Sequence, residues 1–97
     1  MNVWRTKMND GKWKIVYTKQ GLKDKRIAFE AGFSGKINSL LDIVRINPFE
    51  EYPPYEKLIG DLKGAYSRRI NHKHRFVYQV YEDEHAIKVI SMWTHYE

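Results

Sequence analysis

The alternation of apolar and polar positions divides the chain into an opening strand, a helical stretch and a closing run of strands. Over residues 12–19, KWKIVYTK, cationic and apolar side chains alternate around a β-branched and aromatic centre, which predicts a half-buried strand. Gly21 is expected to break it, and from Leu22 onward the residues favour helix. After Gly32 a second helical segment opens with Ser34 as its N-cap. Within it Ile37, Leu40, Leu41 and Val44 recur at the i, i+3, i+4, i+7 spacing of a buried stripe, until Pro48 stops the helix. Gly32 and Gly35 sit between the two halves, so this stretch reads as a pair of helices or as one kinked helix.

Residues 47–64, NPFEEYPPYEKLIGDLKG, hold three prolines and two glycines and read as an irregular loop followed by a short strand or turn. Three strands are predicted beyond it, over residues 66–71, 74–81 and 86–93, the last two joined by the acidic turn Glu82, Asp83, Glu84 as a hairpin. Short turns between consecutive strands imply antiparallel pairing. The order of elements therefore predicts an α+β fold: a mainly antiparallel twisted sheet with two helices on one face, in a single domain over residues 1–97. In the strand from His74, alternation puts Phe76, Tyr78 and Val80 on one face and Arg75, Val77, Gln79 and Tyr81 on the other. Arg75 thus opens a strand on a face that is not wholly apolar, where a ligand could lie.

Composition narrows the function classes. An apolar fraction of 42% with 14% aromatic residues belongs to a folding chain, and the absence of cysteine excludes disulfides and thiolate metal sites. No apolar run is long enough to span a membrane, and the first residues lack the apolar stretch of a signal peptide, so a soluble, cytoplasmic protein is expected, with no membrane partner. The net charge of +5 is concentrated: from Lys57 to Arg75 the six cations Lys57, Lys63, Arg68, Arg69, Lys73 and Arg75 face the single acid Asp61. Such a segment favours a polyanion.

The chemistry that stands out is a carboxylate, a guanidinium and an imidazole: Glu56 on a proline-rigidified loop, Arg75 on its strand, and His95 beside Tyr96 in the closing MWTHYE. RNA can be cut without a metal when its own 2'-hydroxyl attacks the adjacent phosphorus. That needs a base for the hydroxyl, a cation for the charge growing on the phosphoryl oxygens, and an acid for the departing 5'-oxygen. Histidine suits proton transfer because it titrates near neutral pH. His72 and His74 would share a face on a strand, but no acidic or sulfur ligand clusters with them, so a zinc site is disfavoured. Trp13 and the tyrosines read as core and sheet filler rather than as a stacking platform. No phosphate-binding loop, nucleophile elbow or DNA-recognition helix is present.

YEKLIGDLKGAYSRRI (residues 55–70), followed by NHKHRFVY and ending in MWTHYE, resembles the YoeB/Txe family of toxins, a branch of the RelE superfamily. The likeness spans residues 47–97, with SRRI, HRFVY and the terminal HY in the family's order and spacing, whereas the first half matches only in outline and carries the extra lead-in MNVWRTKMNDG. The resemblance implies the toxin of a type II toxin-antitoxin system: a ribosome-dependent endonuclease that cuts messenger RNA in the A site, with no metal or other cofactor. It implies Glu56 as general base, Arg75 as phosphate stabiliser, His95 as general acid and Tyr96 as an orienting or stacking group. Lys57, Lys63, Arg68, Arg69 and Lys73 fall in the segment that would contact RNA or ribosome. The implied partners are a YefM-type antitoxin, the bacterial ribosome, messenger RNA and a second toxin copy. Ile59 departs from the pattern, standing where a family member has a lysine, and Lys57 or Lys63 would have to replace that charge. The competing reading is a non-catalytic RNA- or ribosome-binding domain, for which the basic segment alone would suffice.

Overall fold

The computed structural model describes residues 12–93. The elements are β1 (Lys14–Tyr17), α1 (Lys19–Glu30), α2 (Ser34–Ile46), β2 (Tyr55–Lys57), a 3-10 turn (Gly60–Leu62), β3 (Ala65–Arg69), β4 (Arg75–Tyr81) and β5 (Ala86–Ser91). They build one five-stranded sheet in the order β1-β5-β4-β3-β2. Strands β2 to β5 are antiparallel neighbours, as the short turns predict. β1 differs: it lies parallel to β5, with Ile15 opposite Ile87 and Tyr17 opposite Val89. A parallel neighbour requires the chain to cross over before returning, so a strand at the start of the chain pairs with the last one.

The helical stretch is a pair of helices, separated where Gly32 adopts a φ of +95°. Gly21 does not end the preceding element, contrary to the reading of that residue as a breaker. α1 begins at Lys19 because Thr18 caps it: the Thr18 hydroxyl accepts from the Gly21 N–H at 2.8 Å and donates to the Ile90 carbonyl at 2.9 Å. A Cβ at Gly21 would run into the Val89 carbonyl oxygen, so the missing side chain is what lets the first turn of α1 lie against β5. α2 likewise starts at Ser34 itself, with Phe33 in the cap position and no side-chain cap. Its stripe Ile37, Leu40, Leu41 and Val44 is buried as the spacing predicts, against Ala28 of α1 and against Phe76, Tyr78, Ile87 and Val89 of the sheet. Trp13, at the margin, stacks on His85 with ring centroids 3.9 Å apart. No helix among the described residues is long and apolar enough to cross a membrane.

One core residue is charged. Arg68, placed in the basic RNA-contacting segment by its neighbours in sequence, is 0% exposed. Alternation along β3 turns it to the helix-covered face, opposite Phe76 of β4. There its Nε donates to the Tyr78 hydroxyl at 3.0 Å, and its Nη2 donates to the carbonyls of Pro48 at 3.1 Å and Glu50 at 2.8 Å. Nη1 donates to the Pro53 carbonyl. The Tyr78 hydroxyl in turn donates to the Pro48 carbonyl at 2.7 Å. Residues 47–54, a loop with no ladder of its own, thereby have their inward carbonyls satisfied by one guanidinium and one phenol, and no buried side-chain nitrogen or oxygen among the described residues lacks a partner. Arg68 is a structural cation and drops out of the basic surface.

Two predictions follow from this network. Arg68→Met keeps most of the stem but leaves buried carbonyls without donors, each costing about 1–3 kcal/mol, so urea unfolding should show a loss of about 3 kcal/mol, only partly avoided by Arg68→Lys. Burial pushes the Tyr78 phenol above its ordinary value of 10.0, with the Arg68 hydrogen bond opposing the shift. Folding therefore favours the neutral phenol: its contribution is whole below pH 10.0 and is lost as pH rises through the higher folded-state value. Stability measured between neutral and strongly alkaline pH should fall more steeply in the wild type than in Tyr78→Phe.

Candidate catalytic site on the open face of the sheet

The same alternation that sends Arg68 inward turns its neighbour Ser67 to the opposite face, where Glu56 of β2 is its register partner. Arg75, the first residue of β4, reaches diagonally across both. Its Nε donates to the Ser67 hydroxyl at 2.7 Å, and its Nη2 donates to Glu56 Oε1, also at 2.7 Å. Glu56 and Arg75, singled out from the sequence 19 residues apart, are thus brought together on adjacent strands of one face. Glu56 stands on the edge strand that follows Pro53 and Pro54 rather than in the loop itself. Its side chain is 68% exposed and that of Arg75 31%, so the ion pair is solvated and contributes about 0–1 kcal/mol; it orients the groups more than it stabilises the fold.

Ser67 was not among the residues singled out from the sequence. It is only 2% exposed, too small and too enclosed to meet a large substrate, and it holds one edge of the guanidinium so that the other faces Glu56. Strand alternation within SRRI carried the signal, because it separates Ser67 and Arg69 from Arg68.

Beside the pair is a cavity of about 290 Å3, whose lining includes Lys36, Pro54, Arg69 and Ile70 as well as Glu56 and Arg75. Arg69 thus stays with the site. Lys57 is exposed on β2 but alternates away from Glu56, Lys63 is exposed after the 3-10 turn, and Lys73 is exposed in the turn before β4. None of these three lines the cavity, so neither Lys57 nor Lys63 stands in there for a basic residue at the exposed Ile59.

His95 and Tyr96 lie outside the described residues. What fixes the chain just before them is visible. Asp24, fully buried on α1, accepts from the backbone N–H groups of Met92 at 3.0 Å and Trp93 at 3.3 Å, and from Gln20 Nε2 at 2.8 Å. The Trp93 ring stacks on His74 at 3.6 Å and packs against Phe33 at 5.9 Å. This also corrects the expectation that His72 and His74 share a strand face: β4 starts only at Arg75, His74 is buried against Trp93, and His72 is exposed in the turn. No group of three or more His, Asp or Glu side chains among the described residues is arranged to hold a metal ion.

The molecule is thus a small α+β domain with two helices on one face of a short-stranded sheet and a carboxylate-guanidinium pair on the other. Residues 8–96 match the sequence family described as YoeB-like toxin of bacterial type II toxin-antitoxin system. The chain is 34% identical over 76 residues to toxin YoeB of Streptomyces coelicolor, covering 76% of this chain and 90% of that protein. Among solved structures it superposes on a YoeB/ParE toxin from Agrobacterium tumefaciens with a TM-score of 0.77 and 34% identity, covering 86% of this chain and 99% of that one. It superposes on YoeB from Staphylococcus aureus, solved as a dimer, with a TM-score of 0.73 and 38% identity, covering 88% and 99%. The chain belongs to the YoeB-like toxin family of bacterial type II toxin-antitoxin systems. The similarity carried by the motifs of residues 47–97 extends through the first half as well.

If Ser67 holds the guanidinium, the Arg75 Nε–Hε resonance in nitrogen-proton NMR spectra should exchange slowly with water in the wild type and rapidly in Ser67→Ala. Equal exchange in the two proteins would remove Ser67 from the site.

Proposed function

We propose that this chain is an endoribonuclease that cuts messenger RNA in the A site of the bacterial ribosome, using the RNA's own 2'-hydroxyl and no metal ion. The observation that carries the reading is the Glu56–Arg75 pair, seated on Ser67 beside a cavity lined with cations, in a chain of this toxin family. In the reaction the 2'-oxygen bonds to the neighbouring phosphorus and the bond from phosphorus to the 5'-oxygen breaks. A 2',3'-cyclic phosphate, opening to a 3'-phosphate, is left on one fragment and a 5'-hydroxyl on the other. Glu56 takes the proton from the 2'-hydroxyl, Arg75 donates to the non-bridging oxygens as charge grows on them, His95 protonates the departing 5'-oxygen, and Tyr96 orients the substrate.

The resting geometry supports a defined order of events. Without substrate, Arg75 is committed to Glu56. An arriving phosphate competes for the same guanidinium, draws its Nη2 off the carboxylate and leaves Glu56 free to accept the hydroxyl proton, while Ser67 keeps hold of Nε. A site this open has little means of bending RNA into line for attack, and orientation is worth on the order of 7 kcal/mol or more in favourable intramolecular cases. The ribosome supplies that constraint, and the exposed Lys57, Lys63 and Lys73 suit a contact with its phosphate-rich surface. Staphylococcus aureus YoeB has been solved in complex with YefM as well as in dimeric form, and we extend both to this chain: silencing by a YefM-type antitoxin, and self-association.

The test is cleavage of messenger RNA on programmed ribosomes. Glu56→Ala and His95→Ala should each slow cleavage by about 10²–10⁴-fold while leaving ribosome binding intact, and the wild-type cut, with magnesium kept at the level ribosomes need, should leave a 2',3'-cyclic or 3'-phosphate end. Unaltered cleavage in both variants, or a cut leaving a 5'-phosphate, contradicts the mechanism. Binding by the wild type without any cleavage would make the chain an RNA- or ribosome-binding domain.

A further inference from the structure

The cavity beside the Glu56–Arg75 pair is lined by three cations, Lys36, Arg69 and Arg75, and one carboxylate. The carboxylate is already matched, since Arg75 carries it in an ion pair. Lys36 and Arg69 have no ion-pair or hydrogen-bond partner among the described residues. They reach the cavity from different layers: Lys36 from the first turns of α2, Arg69 from the end of β3, where it is the register partner of Arg75. An exposed lysine on a helix is ordinarily only a solvated charge. Here two cations without a partner among the described residues share one cavity with a third, an arrangement that favours an anion. The volume, about 290 Å3, lies at the small end of ligand pockets, and Pro54 and Ile70 give it an apolar wall. That suits one sugar-phosphate unit better than a length of strand.

We propose that Lys36 and Arg69 form a second phosphate subsite, which takes the phosphodiester next to the one that Arg75 holds for cleavage in single-stranded RNA. It rests on the nuclease reading of the same cavity. It also accounts for a site that works with Ile59 in place of a basic residue, because the compensating charge comes from the helix layer and not from the segment around Lys57 and Lys63. Lys36 is a binding and register-setting residue in this scheme. Removing it weakens the hold on RNA without touching the groups that move protons.

The experiment measures binding of a single-stranded RNA oligonucleotide with 2'-O-methyl groups, which cannot be cut by this route, by fluorescence anisotropy from about 50 to 200 mM salt. Each phosphate contact to a single strand contributes about 0.7 to the slope of log K against log salt, so Lys36→Ala should lower the slope by about 0.7 and Lys36→Ala with Arg69→Ala by about 1.4. Lys36→Arg should restore it. Lys23→Ala, which removes an exposed α1 cation that does not line the cavity, should leave it unchanged. On ribosomes Lys36→Ala should raise KM and keep kcat. A slope for Lys36→Ala equal to that of Lys23→Ala, with an unchanged KM, overturns the subsite. Loss of cleavage in Glu56→Ala reports on the nuclease reading independently.

Discussion

The guanidinium of Arg68, buried and hydrogen-bonded through all three nitrogens, is the constraint on which the site depends. A charge out of water is tolerated only where its donors are met, and here four of the five N–H groups are met by a phenol and by the carbonyls of Pro48, Glu50 and Pro53. The exchange is mutual. Residues 47–54 have no strand or helix to satisfy them, yet they lead directly into β2 and so decide where Glu56 stands. The rings of Tyr55 and Tyr78 lie 5.1 and 5.9 Å from the guanidinium, and Phe49 and Tyr66 pack against those rings in turn. A loop that would otherwise wander is thereby held to the sheet from beneath, while its outgoing strand presents a carboxylate above.

The open face is organised on a contrasting principle. Beneath the sheet, the buried guanidinium is held by neutral oxygens; above it, cations outnumber the carboxylate in the cavity lining and the pair that does form is exposed. An exposed pair is easily exchanged, and the proposed hand-over of the guanidinium from carboxylate to phosphate draws on that ease. Strand β3 serves both purposes with adjacent residues, Ser67 facing the site, Arg68 facing the core and Arg69 facing the site again. Two layers of the molecule therefore share a single five-residue strand as their common wall.

Much of this is legible in the sequence. The stripe Ile37, Leu40, Leu41 and Val44, the split of Phe76 and Tyr78 from Arg75, and the hairpin at Glu82 to Glu84 all follow from periods of 3.6 and 2 and from turn chemistry, which act over short distances along the chain. Elsewhere long-range contacts overrode local reading. Gly21 reads as the break after the opening strand, yet it lies inside α1 and its role is set by the Val89 carbonyl 68 residues away. β1 joins the sheet in parallel through partners equally distant in sequence. Arg68 and Arg69 are chemically identical in the sequence, and only the phase of β3 separates a core cation from a site cation. His74, expected to share a strand face with His72, is instead a ring stacked on Trp93. The pairing of Glu56 with Arg75 came from motif resemblance, and Ser67 between them could have been found from alternation once β2 and β3 were known to be neighbours.

The strand that carries Glu56 is also the margin of the sheet. An unpaired strand edge is a template on which other chains can add, and natural sheets blunt it with brevity, prolines and charge. β2 has all three: it is three residues long, it is preceded by Pro53 and Pro54, and it includes Lys57. The prolines that stiffen the approach to the carboxylate thus also discourage fibre-like stacking at the border where the Glu56 side chain is exposed.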